Sequence, residues 1–366
     1  MPGIAMSYYA RSRPLKGNHP AVESSSPLLP CSPMIERITR ARVEQLLNAA
    51  SGRRVAVVGD AMLDVYLLGE VERISPEAPV PVVRVRERKL ALGGAANVAN
   101  NIVSIGARCE LVSAVGDDHA GTTLRRMLGD VGTDTRALVS VKRPTTTKTR
   151  VVARSQQLVR YDEEEDVDLA GEETDRLLHA LEQAVNEADA LVFEDYNKGV
   201  IVAPVIMKGI EWAKARGIPT VVDPKYRNFF AYGGATIFKP NRRELESALG
   251  ASVDFDHPEA LPSTFAKLGV EHLLLTLGEM GMALISADGE VGRIPTTARE
   301  VYDVVGAGDT VTAYLATMMA AGGTPAEAAL IANFAAGVEV GKLGAATVTP
   351  AEVLEAYDDF AADGKG

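Results

Sequence analysis

Arg54-Val55-Ala56-Val57-Val58-Gly59-Asp60 is a short apolar run closed by glycine and a carboxylate, the pattern of a strand buried on both faces. Similar runs recur at 110–115, 190–194, 219–223, 236–239 and 272–277, and a helix is expected over 34–50. Amphipathic stretches of helical length fall between most of them, at 122–131, 172–187 and 205–216. Strands alternating with helices build βαβ units, so the expected fold is α/β: a mostly parallel central sheet flanked by helices in three layers. Ligands in such sheets bind beyond the carboxyl ends of strands, where Asp60, Asp64, Asp195 and Asp223 stand. Residues 65–71 with 80–86, and 146–153 with 157–161, read instead as extended pairs of period two. They predict a small projecting β-sheet, a lid over about 65–86 and 146–161. Pro76, Pro79 and Pro81 favour its rim. Gly59-Asp60-Ala61-Met62 lacks the Gly-x-Gly-x-x-Gly of a dinucleotide-binding turn, which argues against that class.

The 366 residues are 46% hydrophobic and 24% charged, ordinary for a globular chain. Lys and Arg number 38 against 49 Asp and Glu, a net charge of −11, so no nucleic-acid or membrane-surface partner is expected. Cys31 and Cys109 have no setting for a bridge, and no Cys/His cluster has zinc spacing. A reducing, cytoplasmic compartment follows as an expectation. No run of 18 apolar residues exists to span a bilayer. Residues 1–33, rich in Ser, Pro and Arg, read as a disordered leader or an over-extended start, with 34–366 as one domain.

Asp303-Val-Val-Gly306-Ala307-Gly308-Asp309-Thr310 precedes a long apolar run that reads as a helix. The first amides of a helix lack intrahelical partners, and the two glycines clear the way for an anion. Asp309 would then be a carboxylate base beside an anion pocket; a plain helix cap explains the same residues. Gly93-Gly94-x-x-Asn97 opens another expected helix, with Asn97 offering a donor and an acceptor to a sugar hydroxyl, or simply capping the helix. Asn241 and Glu244 share a face at a helix start, as water-mediated Mg²⁺ ligands or as a capping pair. Thr276 and Gly278 form a turn after a strand where a nucleotide could lie. Asn333 sits in a small-residue helix that suits either a flat base or tight packing.

In this order the motifs resemble the pfkB (ribokinase-like) family of carbohydrate kinases, over roughly residues 52–357. The resemblance implies ATP and Mg²⁺ as cofactors and a monovalent cation such as K⁺ near Asp303. It implies Asp309 as the base, with the amides of Gly306, Ala307 and Gly308 on the transferring phosphoryl group. Asn241, Glu244, Thr276, Gly278 and Asn333 would serve the nucleotide and its metal, and Asp64, Gly93, Gly94 and Asn97 the sugar. Gly59-Asp60-x-Met62-Leu63-Asp64, Ser75-Pro76-Glu77-Ala78-Pro79, Gln156-Gln157-x-x-Arg160, Asp195-Tyr196-x-Lys198-Gly199 and Asp223-Pro224-Lys225 are similar to the branch acting on heptose 7-phosphate. That branch implies transfer to O1 of D-glycero-β-D-manno-heptose 7-phosphate, in the making of a lipopolysaccharide precursor. Asp195, Lys198, Lys225, Arg154 and Arg160 are the candidate contacts to this substrate, the basic ones to its phosphate. A homodimer is expected, with a separate adenylyltransferase and phosphatase acting downstream. Other acceptors (fructose, a fructose phosphate, ribose) and a silent scaffold protein are the competing expectations.

Overall fold

The computed structural model describes residues 38–362 except 155, 254–260, 299–300 and 343. The expected leader, 1–33, and residues 34–37 lie outside them. The first helix, α1 (Arg40–Ala50), is capped by the Thr39 side chain and buries Val43, Leu46, Leu47 and Ala50. It leads into β1 (Arg54–Gly59), whose register pairs it in parallel with β4 (Arg108–Gly116) on one side and β8 (Ala190–Glu194) on the other. Around this centre a nine-stranded sheet runs β13-β12-β11-β10-β9-β8-β1-β4-β5. Its remaining strands are β5 (Leu138–Val141), β9 (Thr220–Asp223), β10 (Ile237–Phe238), β11 (His272–Thr276), β12 (Met282–Ser286) and β13 (Val291–Ile294). Only β12 and β13 are antiparallel to their neighbours, so the mostly parallel sheet expected from the alternating pattern is present.

Period two sorts the strand residues between two cores. Val55 and Val57 of β1, Ala190 and Val192 of β8, and Leu274 of β11 face α1, α2 (Ala95–Ile105), α3 (His119–Asp130), α8 (Ala307–Ala320), α9 (Pro325–Glu339) and α10 (Pro350–Ala362). Ala56, Val58, Leu191, Phe193, Leu273 and Leu275 face α4 (Glu172–Glu187), α5 (Ala203–Arg216), α6 (Arg242–Leu249) and α7 (Leu261–Leu268). The α8 helix is apolar all round and almost wholly buried, as a helix inside a layered domain must be.

Residues after Asp60 leave this sheet at once. A four-stranded sheet, ordered β3-β2-β6-β7, is made from β2 (Ala61–Ile74), β3 (Pro81–Gly94), β6 (Thr147–Ala153) and β7 (Gln156–Glu163). The two extended pairs expected from the sequence are joined through the parallel pairing of β2 with β6. Pro81 opens β3, where a missing amide costs nothing, and Pro76 and Pro79 lie in the preceding loop. The two faces differ sharply. Asp64, Tyr66, Lys148, Arg150, Arg160 and Asp162 share one face by register, while Leu67, Val151, Val159 and Tyr161 share the other. Val159 and Tyr161 stay 51% and 48% exposed, an uncovered apolar surface.

Candidate active site

The site forms where the sheet changes direction. From β1 the chain proceeds outward to β4 and β5, and from β8 it proceeds the other way to β9, so loops diverge at the carboxyl ends of β1 and β8. Such a switch point is where open α/β sheets bind ligands. Three neighbouring strand ends meet there in register: Glu194 of β8 opposite Asp223 of β9, and Lys239 one residue past β10. Parity puts all three on the face covered by α8, because Glu194 follows Ala190 and Val192, and Asp223 follows Val221. The Lys239 ammonium donates to Asp223 Oδ2 at 2.8 Å, and both side chains are buried. Burial disfavours that ammonium, but Asp223 and Glu194 outweigh it and raise its pKa.

Above this row lies the N-terminus of α8. Gly306 caps the helix at φ +100°, in the left-handed region, and a Cβ there would stand 3.1 Å from Glu339 Oε1. The first helical hydrogen bond runs from the Thr310 amide to the Gly306 carbonyl at 2.9 Å, and the Ala307 amide turns back to Val304 at 3.5 Å. The amides of Gly306, Gly308 and Asp309 thus have no partner among the described residues, so two of the Gly306, Ala307 and Gly308 trio implied by resemblance are open and Asp309 adds a third. Asp309 is 6% exposed. Its Oδ2 accepts from Asn97 Nδ2 at 2.7 Å and its Oδ1 from the Tyr196 hydroxyl at 3.0 Å. Burial pushes its carboxyl up to about 6, and the charge of Asp223 adds to that; the bonds from Asn97 and Tyr196 and the nearness of Lys239 pull the other way.

Tyr196 is brought to Asp309 by a carboxylate on another strand. Asp60 is buried and accepts from the amides of Tyr196 at 2.8 Å, Lys198 at 3.0 Å and Val200 at 3.0 Å, which clamps the loop after β8 onto the end of β1. Burial and the charge of Asp195 still push Asp60 up to about 6. Asn97 is steadied from behind, as Asn101 Nδ2 donates to its carbonyl at 3.0 Å.

The expected sugar contacts converge here. Gly93 lies opposite Met62 in the β2–β3 ladder, and a Cβ on it would meet Asp64 Oδ2 at 2.7 Å, so only glycine lets the Asp64 carboxylate pass. Gly94 is the N-cap of α2, the helix that carries Asn97. Asp64 Oδ1 accepts from Arg150 Nη1 at 2.5 Å. Lys225 donates to Glu244 Oε1 at 2.6 Å and stands 5.2 Å from the Tyr196 ring centroid. Lys198 pairs with Glu164 at 2.6 Å, and Arg160 with Asp162 at 3.0 Å on the polar face of the small sheet.

Two expected contacts are placed elsewhere. Asp195 is one residue beyond Glu194, so parity turns its carboxylate to the opposite face, where it accepts from the Tyr232 hydroxyl at 2.9 Å and Asn228 Nδ2 at 3.3 Å. Arg154 sits exposed at the turn after β6 with φ 58°. Asn241 and Glu244 do form the capping box of α6: Asn241 accepts from the Glu244 amide at 2.9 Å and Glu244 Oε2 from the Asn241 amide at 2.8 Å. Asn241 bridges to Thr276, and Gly278 begins a short 3-10 turn at φ +64°. Asn333 donates to the Pro295 carbonyl at 2.9 Å, tying α9 to the end of β13. The residues that motif reading passed over are Glu194, the Tyr196 hydroxyl, Lys239, Lys148 and Arg150. Strand parity was the signal for Glu194 and Lys239.

A model of the pfkB family of carbohydrate kinases matches residues 53–352. The bifunctional protein HldE of Rhodospirillum rubrum is 45% identical over 306 residues, covering 83% of this chain and 62% of that protein. The bifunctional protein HldE of Gluconacetobacter diazotrophicus is 47% identical over 315 residues, 85% of this chain and 65% of the relative. This chain thus spans a little under two thirds of the length of these curated relatives. Among solved structures, an Arabidopsis thaliana ribokinase complexed with ribose and ATP superposes with a TM-score of 0.66 at 21% identity, covering 84% of this chain and 98% of that one. Phosphofructokinase-2 from Escherichia coli in complex with potassium gives 0.69 at 18% identity, covering 85% and 99%. At these identities the structural likeness speaks for the fold alone.

Proposed function

The chain belongs to the pfkB family of carbohydrate kinases, and on that premise we propose that it transfers the γ-phosphoryl group of ATP to O1 of D-glycero-β-D-manno-heptose 7-phosphate, giving the 1,7-bisphosphate. The observation that carries the chemistry is Asp309: a buried carboxylate with a raised pKa, at the start of a helix, beside open amides and the Lys239 ammonium. Phosphoryl transfer asks a protein mainly for positioning and charge stabilisation, and these groups offer both. In the reaction O1 forms a bond to phosphorus as the bond to the leaving ADP oxygen breaks. Asp309 takes the O1 proton and later releases it to water. The amides of Gly308 and Asp309, with Lys239, stabilise charge on the transferring group. Tyr196 and Asn97 hold the carboxylate in one orientation.

A triphosphate fits the residues present, since a Cβ on Gly308 would reach Lys239 Nζ at 3.7 Å and Asp223 Oδ2 at 3.8 Å, and its absence leaves that space to a ligand. Mg²⁺ arriving with the nucleotide neutralises phosphate charge, and Asn241 and Glu244 would hold it through water. Thr276, Gly278 and Asn333 are assigned to the nucleotide, and a monovalent cation to the surroundings of Asp303. Asp64, Gly94 and Asn97 would take sugar hydroxyls. The 7-phosphate is assigned to the polar face of the small sheet, where Lys148, Arg150 and Arg160 gather near Lys198.

Residues 34–366 are taken as one kinase domain acting in the cytoplasm, a reading to which the structure adds that no described helix is long and apolar enough to cross a membrane. A homodimer through the apolar face of the small sheet is supported by the exposure of Val159 and Tyr161. The test is ATP consumption by the purified chain with heptose 7-phosphate beside fructose 6-phosphate and ribose. Asp309→Asn should lower kcat by about 10³-fold or more while ATP still binds. Near-normal turnover of that variant would remove Asp309 as the base, and preference for a plain sugar would remove the heptose phosphate. With Asp309 titrating at about 6, kcat should fall as pH drops through about 6 and level off above it.

A further inference from the structure

Glu194 is buried to 0% exposure, and neither of its carboxylate oxygens meets a hydrogen-bond donor among the described residues. It points toward α8, into the space between Asp223 and Asp309, and one oxygen from each of the three carboxylates lies within 4.8 Å of the others. The surrounding charges do not cancel. Four carboxylates (Glu194, Asp223, Glu244, Asp309) face two ammonium groups (Lys225, Lys239), an excess of two negative charges. An uncompensated buried carboxylate is strongly disfavoured, so the site must take up protons or a cation.

We propose that Glu194, Asp223 and Asp309 form a divalent-cation site that fills without nucleotide and is separate from the ion carried on the nucleotide phosphates. All three donors are hard oxygens, which suit Mg²⁺ or Mn²⁺ over softer metals. On an octahedral Mg²⁺ ion cis oxygens lie about 3 Å apart and trans ones about 4.2 Å, so side-chain rotations would have to draw together oxygens that now lie within 4.8 Å of one another. Lys239 donates to Oδ2 of Asp223, while Oδ1 stands 4.0 Å from Lys225 Nζ, beyond hydrogen-bond distance, which leaves it a lone pair for an ion. Each Asp309 oxygen accepts one hydrogen bond and keeps a lone pair. An ion of charge +2 would balance the excess. In the kinase reading, on which its role but not its existence rests, the ion adds a second positive centre beside the acceptor hydroxyl.

The test is titration of Mn²⁺ into the nucleotide-free full chain, with free Mn²⁺ followed by electron paramagnetic resonance and the melting temperature recorded in parallel. The expected result is a single saturable site per chain and a melting temperature that rises with Mn²⁺. Glu194→Gln should weaken binding roughly tenfold or more and abolish the rise. Asn241→Ala, in the segment assigned to the nucleotide-borne ion, should leave Mn²⁺ affinity within about twofold. Should Glu194→Gln fail to fold, Asp223→Asn serves with the same expected loss. No saturable binding without nucleotide, or wild-type affinity in the Glu194→Gln protein, overturns the site and leaves Glu194 a buried protonated acid. Because no sugar or ATP is present, Mn²⁺ binding by a chain inactive on heptose 7-phosphate would sink the proposed function and not this site.

Discussion

Gly308 and Gly306 sit two residues apart and are glycine for different reasons. At Gly306 the protein itself forbids a side chain, through φ +100° and the Glu339 carboxylate 3.1 Å from a notional Cβ. At Gly308 nothing in the protein lies closer than 3.7 Å, which is ordinary contact. Gly306→Ala should therefore lose roughly 1–3 kcal/mol of stability in urea unfolding. Gly308→Ala should melt within about 2 °C of the wild type, since it removes no packing and alanine favours the helix. Its turnover should nonetheless fall by about tenfold or more, because its methyl enters space assigned to the transferring phosphoryl group. A Gly308→Ala protein that turns over normally would mean that no ligand uses that side of the turn.

Among the elements, the small sheet divides its labour between faces. The polar face carries Asp64, Lys148, Arg150 and Arg160, and the apolar face carries Val151, Val159 and Tyr161. Val159→Asp should leave the fold intact, because the residue is half exposed, and should shift a dimer to monomer in sedimentation. Unchanged mass would discard that face as an interface. The strand pairs of this sheet were legible from period two, and six strands of the main sheet from short apolar runs, whereas β5, β12 and β13 were not read. What was not legible is how β2 lies beside β6, because a parallel pairing between strands some 80 residues apart leaves no local mark. The site was read unevenly for a similar reason. Asp309, Asn97 and Glu244 stand in glycine-rich or capping motifs, whereas Glu194 and Asp195 are adjacent acids at one strand end. Which of them meets α8 depends on β8 staying regular through Glu194, and on which helix covers that face. Of the two readings of Asn241 and Glu244, the capping box is present and leaves Glu244 facing Lys225, while the water-mediated metal role stands as a proposal.

At the scale of the whole molecule, buried acids make stability depend on pH. Glu339 is fully buried between α9 and the helix-start turn, and burial with the charges of Asp303 and Asp309 pushes its carboxyl up to about 8. A carboxyl whose pKa is raised on folding binds its proton more tightly in the native state. Its stabilising contribution is thus complete below about 4.5, the ordinary value, and is lost as pH rises toward about 8. Glu339→Gln keeps the shape without the titration. The melting temperature of this variant relative to the wild type should rise between pH 5 and pH 9, and a constant difference would show that Glu339 titrates normally. Asp60 joins this account from the other end of the chain, because its carboxylate fastens the loop that carries Tyr196. Asp60, Asn97, Tyr196 and Asp309 come from four distant segments, the bond between Asn97 and Asp309 alone spanning 212 residues. On the ribosome, therefore, β1 is made long before its partner β8, and Asp309 is made after every group that orients its carboxylate. A nascent chain short of α8 therefore carries Asp60, Asn97 and Tyr196 but not Asp309, so the four groups can meet only once residue 309 has been made.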